Sequence, residues 1–435
     1  MGGKELIDKH LTFRTVSVWQ HFQNRITIFP TSYFIIAPYS NILFTLVIII
    51  YSISQHRSYD YIITGAGCAG LSLLLRMKRH PFFAEKKILL IDADSKRNND
   101  RTWCFWETKP GLFQDIVYKQ WEQIDFHSQQ FSARLDIAPY VYKMIRGGDL
   151  YQYVFSKIQS SVNITFLQER VQEIYNQNNQ AYVQTSAGTY TAKYVFNSIL
   201  FKPELLQAKG SLLQHFKGWM ITTDEPKFNS SVATFMDFRL RTAEENTFVY
   251  VLPVAPGKAL VEYTVFSSSL LPEQVYTDGL KQYISQYLQL PFYSVTEEEF
   301  GVIPMSNYTF AHSCIPVVNI GTAGGQTKGS SGYTFQFIQK HSDAVIKALI
   351  QQEHPGVQHS TFHKRFKLYD DTLLSILYHK KLSAEKVFSD LFINNKPQQL
   401  FKFLDNETTL AEELKIMSTV PAKVFLPFAL QQLFN

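Results

Sequence analysis

One short segment, between Tyr59 and Asp92, limits the architecture of this chain more narrowly than any other. The apolar run YDYIIT (Tyr59–Thr64) leads straight into Gly65-Ala66-Gly67-Cys68-Ala69-Gly70, and then into LSLLLRMKR, an apolar stretch with basic residues at its end. The pattern predicts a buried strand, a GxGxxG turn and a helix, and KKILLI (Lys86–Ile91) predicts a second strand ending at Asp92. Each glycine has its own physical task. Gly65 permits the tight turn, Gly67 lets the backbone approach a pyrophosphate, and Gly70 lets the helix pack on the strand. The helix start offers N–H groups and a partial positive charge to phosphates. Asp92 lies 22 residues after Gly70, close to the ~20 expected of a carboxylate that holds ribose hydroxyls. Strand, turn, helix, strand and acid in this order predict a Rossmann-type dinucleotide site.

A second glycine cluster follows far along the chain. VVNIG (Val317–Gly321) reads as a strand, the segment Thr322–Tyr333 as a glycine-rich turn, and Phe335–Ile350 as a helix. Gly321, Thr322, Gly324 and Gly325 are its candidate cofactor contacts, because such turns aim backbone N–H groups at phosphate or flavin. Two such units at opposite ends of one domain favour FAD over a nicotinamide cofactor used alone. Between them, Tyr151–Ser160 reads as a helix. Val162–Leu167, Ala181–Ser186 and Tyr190–Asn197 read as strands, with Asn176–Gln180 a hairpin turn. The segments TFVYVLPVA and ALVEYTVF are strand-like, and a helix is predicted over Tyr276–Leu290. The expected fold class is α/β. It comprises a Rossmann-type FAD-binding domain (58–210 and 301–352), an interleaved antiparallel-sheet substrate domain (211–300) and a C-terminal helical region (353–435).

Residues 1–57 form an N-terminal extension that reads differently. No charged residue occurs from Ile26 to His56, and Tyr33–Ile53 is an apolar stretch of 21 residues, near the roughly 20 that a bilayer requires. Three readings stand open: a membrane anchor, an interfacial segment, or an upstream region translated from a misjudged start site. Lys4, Lys9, Arg14 and Arg25 precede the run. The positive-inside tendency would hold them in the cytoplasm and send everything after a span outside. Attachment at the cytoplasmic face of a membrane is therefore the expectation. Of the formal net charge of +5, most belongs to this extension. No Lys/Arg stripe marks a nucleic-acid surface, so nucleic acid is excluded as partner. Three scattered cysteines with no CxxC give no disulfide framework, and no histidine pattern implies a metal.

Several segments together resemble the flavin-dependent lycopene cyclases of bacteria, relatives of the plant lycopene beta- and epsilon-cyclases. They are YDYIITGAGCAGLSLLLRM, DRTWCFWE (Asp100–Glu107), FMDFR (Phe235–Arg239), FVYVLPVAPGKALVEYT (Phe248–Thr264), GVIPM (Gly301–Met305) and GTAGGQTKGSSGYTF (Gly321–Phe335). The resemblance runs from about Tyr59 to the C-terminus. It implies conversion of the psi ends of lycopene, or of a related acyclic carotenoid, into beta-ionone rings, with non-covalent FAD in its reduced state and NAD(P)H as reductant. Where many flavoproteins of the wider fold have an Asp in the late glycine motif, this chain has Thr322, whose hydroxyl can still bond a ribityl chain. The loop also lacks a proline common in aromatic hydroxylases.

Cyclisation needs an acid for the terminal double bond, surroundings that tolerate a carbocation, and a base for a ring proton. Aromatic faces stabilise cations and exclude the water that would trap them. Trp103, Phe105, Trp106, Phe235 and Phe238 are the candidate lining, and ordinary core packing is the other reading of each. Glu262 sits in an otherwise apolar strand, KALVEYTVF, where burial would keep its carboxyl protonated and able to donate. The resemblance places the acid/base glutamate here. Asp237 either pairs with Arg239 or assists the second proton step, and Arg101 is a candidate cofactor contact. A monooxygenase or polyene/prenyl reductase on the same scaffold, and a carotenoid-binding protein without catalysis, are the alternatives. A forty-carbon polyene also demands an entrance from a lipid surface, for which the C-terminal helices are the candidates.

Overall fold

The computed structural model describes residues 57–433 apart from 208–209, 243–245, 309–315 and 357–360. The apolar run 33–53 lies outside the described residues.

The first sheet grows from the glycine-motif strand. Ser58–Thr64 pairs in parallel with Ile88–Asp92 on one side and with Gly188–Asn197 on the other. Ile62, Ile63 and Ile88–Ile91 are all buried, as a parallel strand covered on both faces requires. The full order is Ile164–Gln168, Ile88–Asp92, Ser58–Thr64, Gly188–Asn197, Gln180–Thr185, Val171–Gln177, with Val317–Asn319 also paired to Gly188–Asn197. The polar NQNNQ turn is a hairpin whose two tip residues, Asn178 and Asn179, have φ of 51° and 61°. That left-handed pair is what a tight two-residue hairpin demands. Helix Cys68–Arg79 buries Leu71, Leu73, Leu74, Leu75 and Met77 in the same core as Ile338, Val345 and Leu349 of helix Phe335–Ile350. The helix after the second glycine cluster runs over the residues the pattern predicts.

The second sheet has the order Ser294–Met305, Leu212–Thr222, Lys258–Ser267, Thr247–Ala255, Val232–Asp237, Gln123–His127, Ser132–Asp136. Its pairs are antiparallel except Val232–Asp237 with Gln123–His127. The expected limits of 211–300 for this sheet are thereby corrected. Two strands from inside the expected nucleotide segment complete its far edge, and its other edge strand runs on to Met305. QIDFH and SARLD are short and half polar, so their alternation was too weak to separate from loop. The predicted helix at Tyr276–Leu290 begins earlier, at Glu273, and loosens to a π-turn over Ile284–Leu288. It buries Tyr276, Leu280 and Tyr283 against one face of the sheet, together with Val249, Val261 and Tyr263.

The opposite face is covered by aromatic rings and the C-terminal helices. Phe388 and Phe392 of helix Ala384–Asn394 and Leu400, Phe401 and Leu404 of helix Pro397–Leu404 share one core with Phe235, Phe248 and Tyr250. A small sheet of Thr102–Glu107, Val141–Arg146 and Lys119–Trp121 contributes to both cores. Among the described residues no helix is long and apolar enough to cross a membrane.

Candidate active site

The two glycine motifs, 251 residues apart from Gly70 to Gly321, converge at one end of the first sheet. A Cβ on Gly321 would meet Ala69 Cβ at 2.8 Å, and one on Gly65 would meet Ser198 Oγ at 2.1 Å. Both glycines have positive φ, 63° and 95°, so a side chain there would be strained as well as crowded. Gly70 has no room either, since its Cβ would lie 2.0 Å from Gly65 O. Gly67 differs: a Cβ there would meet nothing within 4 Å. It caps the Cys68–Arg79 helix with no side-chain hydrogen bond and no acidic residue in the first turn. An open helix N-terminus of this kind suits a phosphate.

Asp92 lies at the strand end as predicted, and it also braces the turn. Its Oδ2 accepts from Ala66 N at 2.6 Å, its Oδ1 accepts from Asp94 N at 2.8 Å, and Lys96 Nζ stands 3.5 Å away. Arg101 is half exposed and pairs with Asp100 at 2.9 Å. In the second motif, Gly321–Gly324 forms a single 3₁₀ turn that Gly325 ends at φ 79°. The Thr322 and Thr327 hydroxyls bond each other at 3.1 Å. Gln326 Oε1, Ser331 Oγ and Gln214 Oε1 are buried without a hydrogen-bond partner among the described residues. All three belong to this loop or face it, since a Cβ on Gly332 would lie 2.7 Å from Gln214 Oε1. Buried polar atoms left unpaired are costly, and these fit a loop built to meet a polar cofactor edge.

The second sheet supplies the acid. Register places Tyr250, Glu262, Gly218 and Glu299 in one row across four neighbouring strands. Glu262 accepts from Thr264 Oγ1 at 2.9 Å, and Glu299 accepts from Thr102 Oγ1 at 2.8 Å. Glu262 lies deep among protein atoms although part of its surface borders open space. Burial first, and the neighbouring Glu299 second, push the Glu262 carboxyl well above the usual carboxylate range. Burial raises Glu299 as well, and the Thr102 hydroxyl opposes that. Glu299 was missed from sequence. It hides in the acidic run TEEEF, and only the strand register brings it to Glu262.

The predicted aromatic lining divides into two. Strand Thr102–Glu107 alternates, so Trp103 and Phe105 face the nucleotide-side core. Phe105 stacks on Phe335 at 4.0 Å, and Trp103 meets Tyr151 edge-on at 6.3 Å. The two rings thus pack apart from the cluster around Trp106. Trp106 points the other way, stacked on Phe401 at 4.6 Å and edge-on to Tyr333 at 4.7 Å and Phe235 at 6.1 Å. Phe235 also meets Tyr142 and Tyr250. Cys104, Tyr250 and Tyr333 lie close enough to Glu262 to couple with it electrostatically, so this cluster adjoins the acid. Phe238 packs further out, against Phe126, Phe248 and Phe388.

Asp237 takes the paired arrangement of the two that FMDFR allows. It is fully buried, forms a two-point ion pair with Arg239 at 2.6 Å, and accepts from Tyr283 Oη at 2.6 Å. Tyr283 belongs to the helix covering the sheet face opposite Glu262. That places Asp237 on the sheet face away from Glu262, in the position of a structural anchor. A cavity of about 200 Å³ lies between Arg76, Phe105, Phe113, Gln339 and Lys340, and neither a glycine motif nor Glu262 lines it.

The lycopene cyclase protein family matches residues 60–428. The chain belongs to the lycopene cyclase family. No curated protein matches it. Among solved structures, it is similar to a flavoprotein/dehydrogenase from Cytophaga hutchinsonii (10% identity, 86% of this chain and 98% of that one, TM-score 0.57). It is also similar to a geranylgeranyl bacteriochlorophyll reductase-like protein from Thermoplasma acidophilum (12%, 87% and 98%, TM-score 0.54). A third is p-nitrophenol 4-monooxygenase from Pseudomonas putida (14%, 86% and 97%, TM-score 0.51). At such identities these likenesses show the fold, an α/β flavoprotein fold, and leave the chemistry of this family member to its own residues.

Proposed function

We propose that this family member is a lycopene beta-cyclase, closing the psi ends of lycopene or a related acyclic carotenoid to beta-ionone rings without net redox change. The observation that carries the reading is the placement of Glu262 deep among protein atoms beside a cluster of rings, where burial pushes its carboxyl well above the usual carboxylate range. An uncharged acid in such surroundings suits proton delivery to a hydrocarbon. The Glu262 proton goes to the terminal double bond, and an internal double bond closes the ring on the resulting cation. The Glu262 carboxylate then takes a ring proton back, so the protein ends as it began. Trp106, Tyr250 and Tyr333 would face the cationic ring and keep water away.

FAD in its reduced, non-covalent form is the proposed cofactor, with NAD(P)H as the source of its electrons. The helix start at Gly67, Asp92, Arg101 and the Gly321–Gly325 turn with Thr322 would hold it. When bound, the reduced flavin supplies negative charge next to a developing cation. Supply of the polyene points to work at the cytoplasmic face of a membrane. Exposed Leu426, Leu430 and Leu433 on the C-terminal helix, with Leu410 and Leu414 nearby in sequence, support that reading.

Expression in cells that accumulate lycopene, with the pigments separated and weighed by mass spectrometry, tests it. A cyclic product of unchanged mass is the expected result. Added oxygen, or two added hydrogens, would replace the reading by a monooxygenase or a reductase on the same scaffold.

A further inference from the structure

The row Glu299, Gly218, Glu262 contains more than one acid, and the residue between the two acids is the one that lets them meet. Glu299 and Glu262 sit on the strands flanking Leu212–Thr222, each in register with Gly218. A Cβ on Gly218 would lie 2.9 Å from Glu299 Cγ and 3.3 Å from Glu299 Oε1. Glu299 therefore leans over the bare glycine, toward Glu262. Its Oε2 is taken by the Thr102 hydroxyl, while its Oε1 is buried with no protein donor among the described residues. Across the glycine the Thr264 hydroxyl fixes Glu262 Oε1. A carboxylate oxygen buried with no donor is too costly to stand, and the neighbouring acid can supply the missing hydrogen.

We propose that Glu299 is a positioning residue for the acid, the two carboxyls sharing one proton across Gly218 so that Glu262 is kept loaded. The inference rests on the reading of Glu262 as the acid of cyclisation. Two like groups in one buried site cannot both ionise at ordinary cost. With one proton between them, Glu299 is the anion, tied to Thr102, and Glu262 is the donor. When Glu262 gives its proton to the substrate, two carboxylates face each other. The strain is relieved when Glu262 takes the proton that the ring cation sheds. No proton is gained or lost over the cycle, and no oxidant or reductant is consumed. The charged and titratable groups facing the pair are Arg101, Cys104, Glu297, Tyr250 and Tyr333.

The test is the pH titration of the protonated-carboxyl infrared band in the full-length protein, followed by the pH profile of cyclisation. Glu262→Gln should remove the Glu262 component of the band, leaving that of Glu299 and of other buried carboxyls such as Asp405. Glu299→Gln removes the like charge, so the band should remain at low pH and its midpoint should fall by roughly one to three pH units. The alkaline limb of activity should fall with it, while KM and flavin content stay unchanged. Gly218→Ala, which pushes Glu299 aside, should move the midpoint in the same direction and decides the matter if Glu299→Gln fails to fold. An unmoved midpoint in the folded variant, or a loss of activity equal at every pH, overturns the proposal. A midpoint that moves in a protein making no cyclic product would uphold the pair and reject the function proposed for it.

Discussion

Glu262 and Asp237 lie on neighbouring parts of one sheet yet face opposite sides of it. Glu262 stands in the row with Tyr250 and Gly218, whereas Asp237 accepts a hydrogen bond from Tyr283 of the helix behind. One acid borders the aromatic cluster, and the other is sealed in an ion pair with Arg239. Their substitutions should therefore separate chemistry from stability. Glu262→Gln keeps size and hydrogen bonding but cannot donate a carboxyl proton. Cyclisation should drop by roughly 10²–10⁴-fold with flavin content and melting temperature preserved. Pigment analysis with a flavin absorbance ratio measures both, and sustained turnover would take Glu262 out of the mechanism.

For Asp237→Asn the expectation is reversed. The substitution leaves Arg239 without its charge partner and weakens the bond from Tyr283. Removing one member of a buried pair costs about 3–5 kcal/mol, and about 1–3 kcal/mol is expected here because Arg239 is 33% exposed and can find water. Denaturant midpoints should fall while the rate per folded molecule holds. A large loss of rate at unchanged stability would return Asp237 to the active site.

The contrast shows which parts of the site sequence could reveal. The Gly65–Gly70 turn, its strand and its helix are local, and spacing alone locates them. The division of Trp103 and Phe105 from Trp106 was also within reach, because TWCFWE follows the two-residue period of a strand. Asp237 was ambiguous, since FMDFR allows both a pair with Arg239 and a free acid. Glu299 could not be found this way. Its partner is 37 residues back in the chain and two strands away in the sheet, and register between strands is a property of the fold.

The glycines of the first motif should differ in what they lose. Gly70→Ala drives a Cβ to 2.0 Å from Gly65 O, so the helix must move off the strand and the protein should lose stability. Gly67→Ala meets no atom within 4 Å and has an ordinary φ of −83°. The flavin-free chain should tolerate it within about 0.5 kcal/mol, while the added methyl stands where a phosphate approaches. Denaturation of the flavin-free protein, paired with an FAD titration, checks this. Equal losses of stability in both variants would contradict it.

His215 sets a limit on acid stability. It is fully buried, with Nδ1 bonded to Tyr276 Oη and Nε2 to Ser267 Oγ, each at 2.7 Å. Burial pulls its imidazole down from 6.5 to about 4, against a smaller opposing backbone bond at Ser269. In the unfolded chain the ring titrates near its ordinary value. Between about pH 6.5 and about pH 4 the unfolded chain therefore binds a proton that the folded chain refuses. Stability from this group is complete above that window and is lost as pH falls through it. The full shift would correspond to about 3 kcal/mol, and about 1–2 kcal/mol is expected because the Ser267 side of the ring's surroundings is only partly buried. Denaturant unfolding at pH 7 and pH 4.5 (values chosen to bracket most of the window) should show this loss in the native chain. His215→Gln should be less stable at pH 7, having lost fixed hydrogen bonds, yet should give up about 1–2 kcal/mol less on acidification. An identical pH slope in both proteins would mean that the folded chain protonates His215 as readily as the unfolded one, against its hydrogen bonds and its burial.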